Sequence, residues 1–152
     1  MNPQAAQNYL RTRVLTATPE QLQMMLFDGA IRFAEAGRTA ILKKDWEQTY
    51  HNCLRAQKIV TELIAGLRHD VQPELCKKLS GLYAYIFRRL LDASARHQVS
   101  AIDEALKLLR YQRETWALLM DKLGKQKAAA AAAKLDIPAP NSKMEAMLCV
   151  QG

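Results

Sequence analysis

The sequence has 152 residues, 49% hydrophobic and 24% charged, which is enough for one domain with a real core and too ordinary for a wholly disordered or fibrous chain. Only 6 Gly and 5 Pro are present, too few turn-formers for a sandwich or an α/β sheet of this size, so a mostly helical fold is predicted. The formal charge of +7, from 22 Lys and Arg against 15 Asp and Glu, is spread along the chain rather than gathered on one stripe among aromatics, which argues against nucleic-acid binding.

Residues 1–17 read as an N-terminal arm. Its Tyr9, Leu10, Val14 and Leu15 are too apolar for an idle leader, and the arm is too short to add a fifth bundle helix. It is expected to fold over a groove beside the next helix, with Tyr9 as anchor, until a partner displaces it. Thr18-Pro19-Glu20-Gln21 then carries a helix start: Thr as N-cap, Pro in the first turn, and Gln three residues on to close a capping box. Leu22, Met25, Leu26, Gly29, Ala30, Phe33, Gly37, Ala40 and Ile41 follow at helical spacing, predicting a helix over 19–43. Gly29, Ala30 and Gly37 are small enough to let another helix come close. Asp28 and Arg32, four apart, are placed for an i,i+4 salt bridge on an otherwise apolar surface.

Asp45 is the next N-cap. Trp46, Tyr50, Cys53, Gln57, Val60, Ile64 and Leu67 step by fours and threes, predicting a helix over 46–68 with a heptad-like seam. Pro73 opens a third long helix, 73–97, marked by Leu75, Leu79, Leu82, Tyr83, Ile86, Leu90 and Ala93. Ser100 caps a fourth, with Ile102, Leu106, Leu109, Trp116, Met120 and Leu123 on its inner face and Gly124 as its C-cap. Leu54, Leu82 and Leu106 are assigned to the core. Four such helices with short connections must run up and down, so the predicted fold is all-α, an antiparallel four-helix bundle over 18–124. Residues 125–152, with six Ala from Ala128 to Ala133, read as a flexible tail ending in a small apolar cluster of Met144, Met147, Leu148 and Val150.

No apolar run long enough to span a bilayer occurs, and the first ten residues lack the pattern of a secretory signal. Cys53, Cys76 and Cys149 are odd in number and far apart, as free thiols in a reducing compartment are, so the expected location is the cytoplasm. No CxxC pair, Walker loop, GxGxxG, GxSxG, HExxH or ExxH is present, and His51, His69 and His97 lie at no metal-ligand spacing. The expectation is therefore a protein that is not an enzyme, with no catalytic residues, metal or cofactor. The remaining unusual features are Asp28 and Arg32, and Arg88-Arg89 following Tyr83, Tyr85 and Phe87. They suit a site where an apolar groove gives affinity and polar groups set register.

The run Val14-Leu15-Thr16-Ala17-Thr18-Pro19-Glu20-Gln21-Leu22, then Met25-Leu26-Phe27-Asp28-Gly29-Ala30-Ile31-Arg32-Phe33, closely resembles the signature of the flagellin-specific export chaperones, the FliS family. Leu82-Tyr83-Ala84-Tyr85-Ile86-Phe87-Arg88-Arg89-Leu90-Leu91 is similar to that family's LYDYMxRRL segment, and Trp116 stands where the family has a late tryptophan. The chain departs from the pattern at Ala84, where an acidic residue is usual, and in the length of its tail. The resemblance implies a cytoplasmic chaperone that binds the disordered C-terminal segment of flagellin, prevents premature polymerisation and assists delivery to the flagellar type III secretion apparatus. It implies a partner-binding surface drawn from Tyr9, Leu10, Val14, Leu15, Leu22, Met25, Leu26, Asp28, Gly29, Ala30, Arg32, Tyr83, Tyr85, Arg88 and Arg89. Flagellin and export-apparatus components are the expected partners, without nucleic acid or membrane, and a homodimer of the free chain is left open. The alternatives are a helical adaptor for another secreted client and, third, a basic nucleic-acid-binding bundle.

Overall fold

A computed structural model describes residues 2–134. Five helices follow one another: α1 Pro3–Thr16, α2 Pro19–Leu42, α3 Trp46–Ala65, α4 Pro73–Arg96 and α5 Val99–Lys134. No strand occurs among the described residues. The starts predicted at Thr18, Asp45 and Pro73 form as expected, whereas α5 already begins at Val99, so Ser100 sits inside its first turn and is not its cap. Gln21 N–H donates to Thr18 Oγ1 at 3.1 Å while Thr18 N–H donates to Gln21 Oε1 at 3.0 Å, closing the capping box, and Gln48 N–H donates to Asp45 Oδ1 at 3.2 Å. The arm, for which no secondary structure was predicted, is helical over residues 3–16. Asn2 accepts a hydrogen bond from Gln4 N–H at 3.1 Å and Pro3 takes the first turn, the same Asx/Thr-Pro device that starts α2.

Contacts between helices give the topology. Gly37 faces Cys53 and Asn52 while Gly29 faces Ile59, so α2 and α3 run in opposite directions. Gln57 donates to the Phe87 carbonyl and Trp46 stacks on His97, which does the same for α3 and α4. Along α2 and α5 the ion pairs Asp28–Arg113, Glu35–Arg110 and Arg38–Asp103 descend in one helix as they rise in the other. Tyr85 and Arg89 reach Glu104, tying α4 to α5. The four long helices therefore close into an antiparallel bundle, as predicted. Lys44 and His97, both left-handed, make the tight reversals at one end of it.

The core is Phe27, Ala30, Ala34 and Ile41 of α2, Cys53, Ala56, Val60 and Leu63 of α3, Tyr83, Ile86, Leu90 and Ala93 of α4, and Ala101, Ile102, Ala105, Leu106 and Leu109 of α5. Of the three leucines assigned to it, Leu106 is buried, and Leu54 and Leu82 are half-buried. The α3 seam is shifted from the predicted one: Trp46 and Tyr50 are exposed and Thr49 and Asn52 are buried in their place. Both polar side chains bond back to their own helix, Thr49 Oγ1 to the Asp45 carbonyl and Asn52 Nδ2 to that of Gln48, each at 2.8 Å. Satisfied in this way, they bury at little cost. Leu75, predicted on the inner face of α4, is exposed.

The chain divides into two units at Thr115–Trp116. In the second, α5 runs through Gly124 to Lys134, so the glycine is not the expected C-cap. An interior helical glycine costs about 1 kcal/mol, and the alanine run behind it has the highest helix propensity. Lys125 also pairs with Asp121 at 3.4 Å, one turn back. None of residues 116–134 is buried; Trp116 and Met120 are half-buried and Leu123 is exposed, so the inner face predicted for this helix holds only through Leu109. The expected apolar cluster from Met144 to Val150 lies outside the described residues. No helix among those described is long and apolar enough to cross a membrane.

Candidate functional site

The apolar residues of α1 are displayed. Tyr9 is 67% exposed, Leu15 73%, and Leu10 and Val14, four apart on one face, nearly half. The helix has no buried residue, so the expected cover over α2 is absent in this arrangement. Its C-terminal end meets α2, where Arg13, Thr16, Ala17, Gln21, Met24, Met25 and Asp28 line a cleft of about 240 Å³. Leu22, Met25 and Leu26 are half-buried along the first turns of α2, continuing the apolar surface from the α1 side.

Deeper in α2 the predicted site residues separate. Gly29 and Ala30 are buried in the bundle, where a Cβ on Gly29 would lie 3.1 Å from Ile59 Cδ1. They set the α2–α3 approach and present no surface. Asp28 does not pair with Arg32; the Arg113 guanidinium of α5 donates to it instead. That pair and its Asp28 hydrogen bond raise the Arg113 pKa, and Glu114 at 3.1 Å adds to the effect. Arg32 lies over the Phe33 ring at 5.1 Å. A cleft of about 530 Å³ between α2 and α5 is rimmed by the other two pairs of this ladder, Glu35–Arg110 and Arg38–Asp103, with Leu106 beneath.

The α4 residues also divide. Tyr83 is buried, its ring centroid 6.5 Å from that of Phe27, and burial pushes its hydroxyl up to about 12. It is a core residue. Tyr85 instead donates its hydroxyl to Glu104 of α5, which raises its pKa, and Arg88 stands over its ring at 6.0 Å. Arg89 lies 3.2 Å from Asp92 and has its Nε 3.2 Å from Glu104 Oε2, at ion-pair distance though outside hydrogen-bond alignment. Glu104 thus supplies across the helix interface a carboxylate of the kind Ala84 does not. Tyr85, Arg88 and Arg89 form a polar rim on the α4–α5 side, apart from the apolar surface of α1 and α2. Sequence reasoning missed Glu104, Arg110 and Arg113, since pairings between distant segments leave no local spacing to read.

Residues 1–123 match the family model of the flagellar protein FliS. The chain belongs to the FliS family. It is 34% identical over 124 residues to the flagellar secretion chaperone FliS of Salmonella typhimurium, covering 81% of this chain and 92% of that one. With the Bacillus subtilis flagellar secretion chaperone FliS it shares 31% identity over 115 residues, 76% and 84% of the two chains. A crystal structure of a bacterial flagellar chaperone superposes with a TM-score of 0.64 over 78% of this chain and 97% of that one, at 18% identity, a likeness of fold. The family is one of flagellar secretion chaperones, not of enzymes, and the resemblance read from the two motifs is confirmed.

Proposed function

We propose that this chain is a cytoplasmic export chaperone whose client is the C-terminal segment of flagellin, held apart from polymerisation and handed to the flagellar type III secretion apparatus. The observation that carries the reading is the displayed apolar surface of Tyr9, Leu10, Val14 and Leu15, continued by half-buried Leu22, Met25 and Leu26. Contiguous exposed apolar area on a folded chain marks an interaction site. A disordered client with apolar helical stripes can order itself on such a surface, exchanging chain entropy for buried area. In this reading α1, which buries none of its residues, is the element that changes place, and its displayed apolar side chains close on the client.

The test is co-purification of flagellin with the wild-type chain and with Tyr9→Ala/Leu10→Ala. The double variant is expected to keep its helical circular dichroism and lose most of the flagellin. Full retention of flagellin would refute the assigned surface.

A further inference from the structure

We propose that Arg32 and Arg55 form a carboxylate-binding site on the α2–α3 face, which takes an acidic side chain carried on a helical segment of the client. The inference rests on the client reading above. Arg32 of α2 and Arg55 of α3 both lie against the Phe33 ring, their guanidinium carbons 5.1 and 5.6 Å from its centroid. Both arginines are exposed and Phe33 is half-buried. A ring face attracts each cation modestly, but two like charges gathered on one ring repel each other unless an anion comes between them.

No described residue supplies that anion. Helical spacing offers Arg32 two carboxylates, Asp28 four residues before it and Glu35 three after, and both are taken by α5, Asp28 by Arg113 and Glu35 by Arg110. Around Arg55 the positions one turn away hold His51, Asn52, Lys58 and Ile59, with no acid among them. Neither Arg32 nor Arg55 has an ion pair among the described residues, whereas Arg38 and Arg110 each have one and Arg89 and Arg113 two. The α2–α5 ladder therefore leaves Arg32 and Arg55 without a carboxylate partner among the described residues of the α2–α3 face. Guanidinium forks match a carboxylate in two-point geometry, and contact with the ring keeps both of them beside Phe33.

The occupant is a helix rather than a lone anion because an apolar contact lies one turn along the same seam. There Ile59, half-buried against Gly29, shares a shallow depression of about 340 Å³ with Lys58, Thr61 and Glu62. An acid on one turn and an apolar residue on the next, the i and i+3 or i+4 positions of a helix, would meet Arg32/Arg55 and Ile59 together.

The experiment is titration calorimetry of the full chain with a peptide of the flagellin C-terminal segment, at low and high salt. It is repeated with each Asp or Glu of the peptide changed to Asn or Gln. Arg32→Gln and Arg55→Gln should each weaken binding about fivefold at low salt, less at high salt, with circular dichroism unchanged. One neutralised peptide should show the same loss against the wild-type chain and no further loss against either variant. Undiminished affinity in both variants, with an unchanged salt dependence, overturns the site and leaves the client reading standing. An equal loss for every neutralised peptide also overturns the site, because the arginines would then act on the fold. A wild-type chain that does not bind the peptide overturns both.

Discussion

Three helical glycines offer a graded test of the packing, because one chemical change, Gly to Ala, meets three different surroundings. In each case the helix gains about 1 kcal/mol from the lower backbone freedom of Ala. At Gly81 in α4 an added methyl meets nothing within 4 Å, so that gain should appear undiminished. At Gly37 the methyl would lie 3.2 Å from Ile102 Cδ1 and 3.3 Å from Cys53 Sγ, on two different helices. Ile102 and Cys53 are both fully buried and have nowhere to retreat, so overpacking of about 1 to 3 kcal/mol outweighs the gain. Gly29 is intermediate, since its neighbour Ile59 at 3.1 Å is only half-buried and can turn outward. The expected order of stability is Gly81→Ala above Gly29→Ala above Gly37→Ala, with the extremes separated by about 2 kcal/mol. For a chain of this size that is a gap of roughly 6 °C in melting temperature. Urea denaturation at constant m-value measures it directly. Gly37→Ala as stable as Gly81→Ala would refute the three-helix junction at Gly37.

Leu90 and Leu106, both buried, should each cost about 2 to 5 kcal/mol on change to Ala, read by the same denaturation curves. Burial holds the Cys53 thiol up at about 11, so in a Cys76→Ser/Cys149→Ser chain its labelling by a thiol reagent at pH 8 should be slow in the folded state and accelerate through the urea transition; rapid labelling of that native protein would contradict its placement. Tyr83 has its pKa raised from 10.0 to about 12, so its contribution to stability is full below pH 10 and is lost as pH rises through 12. Tyr83→Phe should flatten the alkaline fall in melting temperature, and an unchanged fall would place the ring in water. A chain ending at Gly124 should keep the urea midpoint of the full chain, since no residue from 116 to 134 is buried.

Local signals were the legible part of this fold. Thr18-Pro19 with Gln21, and Asp45 before Trp46, mark helix starts because each cap is completed within one turn. Asn2-Pro3 carried the same signal for α1, and the shortness of the arm obscured it. The α3 register was misread at Trp46 and Tyr50 because hydrophobicity was taken as the guide to burial. At that end the bundle buries Thr49 and Asn52, which satisfy their own polar groups, and leaves Trp46 to stack on His97 at 3.7 Å. At the site the sequence named the apolar residues of α1 and α2 but not the partners of its charges. Asp28 had a plausible local mate in Arg32, and only the fold brings Arg113, 85 residues away, to claim it. Gly29, Ala30 and Tyr83 belong to conspicuous motifs and yet are buried, so a motif by itself did not separate packing from recognition.

The most direct measurement of the central claim is calorimetric titration of monomeric flagellin into the chain, beside flagellin lacking its C-terminal segment. Full-length flagellin should bind saturably with a negative heat-capacity change, the mark of apolar burial, and the shortened one should give no binding heat. Equal binding of both forms, or binding of neither, would contradict the assignment of the client.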